Sequence, residues 1–349
     1  MSSRTRRTLK SWASLAALLV VALAGGAPVE AAAEAPAVAR FAVAGDIAMV
    51  AGPAESYFRA VSLDLTGDVV LGNLEGTLTE RGSSKCGAGS STCFSFRAPI
   101  TYAPLLRQAG FTVMNLANNH AFDYGAVGQA DTVAAVRKAG LLTTGRPGEI
   151  AYLNVRGVRV AVLGFAPYPW AQSMLNLPAA QRLVRKADVW ANIVVVTMHA
   201  GAEGSDHQHV RAGTEWFLGE NRGNSIAFAH AVVRAGADLV AGSGPHVLRG
   251  MEWYRGRLIA YSLGNLVGYH TLSTAGVTGV TGILQVTLAQ NGSWVAGDLV
   301  PLTLAPAGIP RPDPAEAAYG IVRSLSKQDF GTRAMLVSRA GVLRPPASR

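Results

Sequence analysis

Short apolar runs, each ending abruptly in glycine or a polar residue, set the rhythm of this chain: RFAVAGD, DVVLGNLE, GFTVMNLANNH, VRVAVLGFAP, ANIVVVTMHAG and GADLVAGSGPHV. Their length and β-branched content suit strands buried on both faces, and the residues that follow suit polar loops at the strands' carboxyl ends. Stretches of helical periodicity lie between them, AVGQADTVAAVRKAG after the third run and SIAFAHAVVRAGA before the sixth. This alternation predicts an α/β fold. In open α/β sheets the carboxyl-end loops gather along one edge and form the ligand site, so the polar residues that end these runs should converge. Downstream the pattern changes: GMEWYRGRLIAYSLG predicts a hairpin turning at Arg255 and Gly256, and GILQVTLAQNGSWVAGDLV another turning at Asn291 and Gly292. From about Asp313 a helical segment is expected.

The chain has 349 residues, 49% of them hydrophobic and 15% charged, which excludes a disordered protein and suits one large α/β domain. Residues 1–33 read as an export signal: Arg4, Arg6, Arg7 and Lys10, an apolar run from Leu15 to Ala24, and small residues at Ala31, Ala32 and Ala33 for cleavage. An uncleaved membrane anchor is the alternative, and Arg6–Arg7 loosely matches a twin-arginine signal. Export places the chain in the periplasm, at the cell surface or in the medium. In such a compartment Cys86 and Cys93, within RGSSKCGAGSSTCFSF, are expected to close a small disulfide loop. Removing the four signal cations and Glu30 from the net charge of +9 leaves a mature charge of +6. That charge is compatible with an anionic polymer or lipid headgroups, whereas no dense basic run interleaved with aromatics points to nucleic acid.

The strand ends supply Asp46, Glu75, Asn119, His120, His199 and His246, with Asp123, Glu203, His207, His209 and His230 behind them. Oxygen and imidazole donors without thiolates suit a divalent metal such as Mn, Zn or Fe. Singly, each has a plain structural role open to it, as a helix cap, a turn residue or a hydrogen-bonded histidine. Their shared position at the ends of successive strands is what favours a site. His207 and His209 are expected to be exposed and His230 to pack within its helix. Tyr261, Ser262, Asn265 and Arg249 should lie near the site edge.

The segments VAGDIAM, GNLEGTL, NLANNHAFDYG, MHAGAEGSDHQHV and GADLVAGSGPHVLRGMEWYRGRLIAYSLGN resemble the bacterial poly-γ-glutamate capsule-synthesis proteins of the CapA type, which are related to calcineurin-like metallophosphatases. The resemblance implies a layered sandwich of mixed β-sheets flanked by helices. It divides the chain into a signal at 1–33, a linker at 34–39, a metallophosphatase-like domain at 40–305 and a partly helical extension at 306–349. It implies metal ligation by Asp46, Glu75, Asn119, His199 and His246 and catalysis by His120; from their own placement, Asp123 is expected to orient His120 or close a turn, Glu203 to bond a ligand histidine or a substrate amine, and Arg249 to meet substrate at the site edge. One or two divalent ions are implied. Two positions depart from the pattern: Ala48 and the pair Ser243–Gly244 stand where histidines are expected, and serine is a poorer ligand than imidazole. The functions implied are a metal-dependent phosphoesterase or other hydrolase, an amide-cleaving enzyme on the polymer, or a non-catalytic factor that binds the polymer in a degenerate groove. Membrane-associated capsule machinery is the implied partner.

Overall fold

The computed structural model describes residues 37–87 and 93–347. The chain first lays down β1 (Val38–Ile47), β2 (Val69–Leu74), β3 (Val113–Asn115) and β4 (Leu142–Thr144). It crosses to a second sheet for β5 (Ala151–Val155), β6 (Val158–Phe165), β7 (Ile193–His199), β8 (Leu239–Ser243), β9 (Met251–Tyr254) and β10 (Arg257–Ala260). It then returns with β11 (Asn265–Val267), β12 (Val280–Ala289), β13 (Trp294–Leu304) and β14 (Pro310–Pro312). The first sheet has the order β14-β13-β12-β1-β2-β3-β4, with β11 beside the end of β1, and the second runs β9-β10-β8-β7-β6-β5. Both are mixed: β1 to β4 are mutually parallel and β12 to β14 antiparallel, while β6, β7, β8 and β10 are parallel between antiparallel edges.

Strand alternation assigns side chains to layers. Phe41 and Val43 on β1 meet Val160, Val162 and Val195 between the sheets. Their neighbours Ala42 and Ala44 face outward to a cluster with Leu106 of α1 (Ala103–Gln108) and Val133 and Val136 of α2 (Gly125–Lys138). On the second sheet Val194 and Val196 face Val184 of α3 (Leu177–Trp190) and Phe228 and Val232 of α4 (Ser225–Arg234). Each such side chain taken from water contributes about 1.5–3 kcal/mol. Asparagine caps start the two outer helices, Asn176 accepting from the Ala179 amide and Asn224 from that of Ala227. The result is the expected layered α/β sandwich of mixed sheets flanked by helices.

The first hairpin turns at Arg255 and Gly256, both at positive φ (51° and 79°), the geometry of a two-residue loop that follows the strands' twist. The second turns through Asn291 and Gly292. The C-terminal segment forms α5 (Ala317–Phe330), its start held by the Asp313 carboxylate accepting from the Ala315 and Ala317 amides. Ala318, Tyr319, Val322, Met335 and Leu343 join the core between the sheets, so residues after 305 are part of the same domain rather than an appendage. At the other end β1 begins at Val38, two residues ahead of the boundary drawn at 40. The signal at 1–33 and the first half of the linker lie outside the described residues. Among the described residues no helix is long and apolar enough to cross a membrane.

Candidate metal centre

The carboxyl ends of both sheets meet at one edge. In the first sheet Asp46 is in register with Asn73 on one side and Asn265 on the other, and Asn73 is in register with Asn115. A row of polar residues thus crosses the buried carboxyl ends of four strands. It is internally satisfied: Asn115 Nδ2 donates to Asn73 Oδ1 (2.8 Å), and Asn73 Nδ2 donates to Asp46 Oδ1 (2.7 Å). Asn118 adds a second donor to Asn73 Oδ1 (3.1 Å) and accepts from the His120 amide (3.1 Å). In the second sheet His199 ends β7 in register with Ser243 on β8. The Gly244 amide then reaches across the sheets to Asp46 Oδ2 (2.9 Å).

Around Asp46 the remaining groups close in. His199 places Nδ1 3.6 Å from Asp46 and Nε2 3.7 Å from Glu75. His246 lies 3.2 Å from Asp46 through Nδ1 and 3.7 Å from Glu75 through Nε2. Its Nδ1 also meets Asn265 Oδ1 at 2.9 Å, which leaves Nε2 directed at Glu75 and Glu203. His246 is held at φ 59°, a left-handed conformation that a non-glycine residue keeps only where its surroundings enforce it. Gly244, at φ 107°, has no such cost, and a Cβ there would stand 3.1 Å from the His199 ring.

Burial divides the charges. Burial alone would raise Asp46, but hydrogen bonding with His199 and His246 outweighs it and holds the carboxyl well below its usual range. Burial and the neighbouring Asp46 push Glu75 well up. Burial would lower His246, yet Glu75, Asp46 and Glu203 together hold it at about 10. His199, fully enclosed, is pushed down by burial. Acids and imidazoles forced together with opposed shifts are what a cation would relieve.

Asp46, Glu75 and His199 each bring a donor atom within 4.8 Å of the others. Both Glu75 carboxylate oxygens and Asn119 Oδ1 are buried without a hydrogen-bond partner. Orphaned oxygens of this kind are costly unless something positive meets them. Together with oxygen and imidazole chemistry and no thiolate among the residues gathered here, they fit a divalent ion, toward which Asp46, Glu75 and His199 could each turn a donor atom.

Beside this centre His120 Nδ1 meets Asp123 Oδ2 at 2.7 Å, and the ring stacks on Phe96 with centroids 4.1 Å apart. Asp123 is fixed in turn by the Phe96 amide (2.6 Å) and by Lys85 Nζ (2.7 Å). Burial pushes His120 down despite Asp123. Lys85 precedes the Cys86–Cys93 disulfide, which is formed. A cavity of about 220 Å³ opens in front, lined by Asn119, His120, Lys85, Glu203, Phe217 and Arg222 among others.

Glu203 joins the site, 3.6 Å from His246, whereas Arg249 does not. The Arg249 guanidinium is fully buried, paired with both Glu215 oxygens (2.9 and 2.7 Å) and donating to the His207 and Ala202 carbonyls, so four of its five N–H groups are engaged within the protein. His207 and His209 are half-buried rather than exposed, His209 because Asp329 of α5 holds it at 2.7 Å. His230 packs as expected, stacked 3.7 Å from Tyr254 and bonded to Glu252. Tyr261 fills core and donates to the same Glu252. Asn73, Asn115, Asn118 and Arg222 are site residues the strand-end pattern misses. The first two carry a signal, a polar residue inside a run that is otherwise apolar, and Arg222 carries none.

The chain is 36% identical over 228 residues to a capsule biosynthesis protein CapA of Bacillus anthracis, covering 59% of this chain and 51% of that one. To a PGA biosynthesis protein CapA of Bacillus subtilis (strain 168) it is 32% identical over 232 residues, covering 61% and 57%. The matched stretch therefore spans little more than half the length of each relative. Among solved structures, a 5′-nucleotidase precursor from Thermus thermophilus superposes with a TM-score of 0.45 at 15% identity, over 86% of this chain and 61% of that one. The model of the family described as bacterial capsule synthesis protein PGA_cap matches residues 23–270, and the chain belongs to that family.

Proposed function

We propose that this chain is an exported, metal-dependent hydrolase of the phosphoesterase kind, working in the synthesis of a capsule or cell-surface polymer. The substrate class is a phosphate ester or an anionic, poly-γ-glutamate-like polymer, and the setting is capsule machinery at the membrane. The observation that carries the reading is the orphaned pair Glu75 Oε1 and Oε2, gathered with Asp46 and His199 and 3.7 Å from His246, with Asn119 Oδ1 also buried and unpartnered. Export rests on the signal read at residues 1–33.

A divalent ion bound by these residues supplies Lewis-acid stabilisation of charge on phosphoryl oxygens. The protein's own contribution is positional. Asp123, itself held by Lys85, accepts from His120 Nδ1–H and locks the ring, so that in its imidazolium form His120 would give its Nε2 proton to a leaving-group oxygen and return to neutral. Asn73 and Asn265 fix Asp46 and His246 from behind.

The test is hydrolysis of a simple aryl phosphate by metal-supplied protein, with His120→Ala expected to lose about 10²–10⁴ in rate. Chelation should abolish activity. A second reading, a non-catalytic polymer-binding factor, is favoured by Ser243 and Gly244 standing where histidine is expected. It predicts no turnover, with poly-γ-glutamate binding that survives chelators and weakens steeply with salt.

A further inference from the structure

The cavity in front of the metal centre holds a buried cation of the protein's own. Arg222 is 1% exposed and sits in the loop before α4. Its Nη2 lies 2.7 Å from Glu203 Oε1 and 3.5 Å from His199 Nε2, and its Nη1 is 3.5 Å from Glu220. A guanidinium taken out of water is expensive unless carboxylates answer it, and here Glu203 does so from within the cluster. Beside His199, positions 243 and 244 bring a hydroxyl and a glycine rather than another imidazole. Ser243 Oγ is buried without a partner, the Gly244 amide is committed to Asp46, and a side chain at position 244 would meet the His199 ring.

We propose that Arg222 takes the place of a second metal cation, so that the site holds a single divalent ion and the guanidinium supplies the second positive charge toward an anionic substrate group. This rests on the metal-centre reading above and specifies it. The carboxylate that a second ion would need, Glu203, is already paired with Arg222 Nη2 at 2.7 Å, so the guanidinium and an ion on Glu203 exclude each other. A guanidinium is never deprotonated and presents a planar fork of donors that matches carboxylate or phosphate oxygens. Chelators cannot remove it.

The experiment is titration of metal-stripped full chain with Mn²⁺ by calorimetry, alongside inorganic phosphate binding to the metal-free protein. Wild type is expected to take one ion. Arg222→Ala, which frees Glu203, should take two and bind phosphate at least ten-fold more weakly than wild type. Arg222→Lys keeps the charge, should stay at one ion with phosphate affinity near wild type, and guards against a folding artefact. Two ions in wild type, or an Arg222→Ala protein that stays at one ion or keeps its phosphate affinity, would overturn the inference while leaving the metal centre standing. No ion in folded wild type would remove the metal centre itself and the inference with it.

Discussion

Replacing Asn73 by alanine should destabilise the domain far more than an asparagine deletion usually does, because three buried bonds depend on it besides a 3.1 Å contact with His199 Nδ1. Its amide nitrogen donates to the Asp46 carboxylate at 2.7 Å, a charge-assisted bond of about 1.5–3 kcal/mol. Its oxygen accepts from Asn115 and Asn118, bonds of about 1 kcal/mol each. Both donors keep a backbone acceptor, Ala117 for Asn115 and Leu74 for Asn118, so neither is orphaned and the loss stops at roughly 3–5 kcal/mol. For a domain of this size each kcal/mol lowers Tm by about 2 °C, which gives a fall of roughly 6–10 °C. Thermal melting of metal-free protein followed by circular dichroism reads this directly. Asn73→Asp preserves volume but sets a carboxylate against Asp46, so it should melt at least as early and excludes a mere cavity as the cause. A fall of less than about 2 °C in both variants would refute the idea that the asparagine row holds Asp46 in place.

Three further outcomes follow from the same geometry. The Cys86→Ser, Cys93→Ser double variant opens a loop with a sequence separation of 7, costing about 2.5 kcal/mol by loop-closure entropy; melting unchanged from wild type under oxidising conditions would contradict this. Gly45→Ala would drive a Cβ to 1.9 Å from the Gly264 carbonyl oxygen, and should cost about 3 kcal/mol in urea unfolding by prising β11 from β1. In metal-free protein His246 has a folded pKa raised to about 10 from 6.5. The stability it contributes is therefore full below pH 6.5 and lost as pH rises through 10. Melting midpoints should decline over that window, and His246→Gln should flatten the decline; an equal decline in the variant would assign it elsewhere.

Much of the fold was legible because burial writes itself into sequence. The run ANIVVVTMHAG can only be a strand covered on both faces, and all seven residues of β7 are buried. Asp46, Glu75, His199 and His246 were visible for the same reason, each interrupting or ending such a run. Asn73 and Asn115 were harder, since a single amide within GNLE or MNLANNH reads as a turn residue until neighbouring strands are set in register. Arg222 was invisible: it lies in GENRGN, a loop without periodicity, and reaches His199 only through the tertiary fold. Arg249 shows the converse error. It follows His246 closely in sequence, but there the chain has turned inward and Glu215 claims its guanidinium. The C-terminal helix could be anticipated from its composition, whereas its insertion into the core between the sheets depends on partners hundreds of residues away.

The central claim is that Asp46, Glu75, Asn119, His199 and His246 hold a divalent ion. Elemental analysis of folded protein supplied with Mn and Zn and freed of unbound ions, compared with an Asp46→Ala, His199→Ala double variant, tests it most directly. The wild type should carry one ion per chain and the variant none. A folded wild type that carries no ion, or a variant that retains its ion, would contradict it.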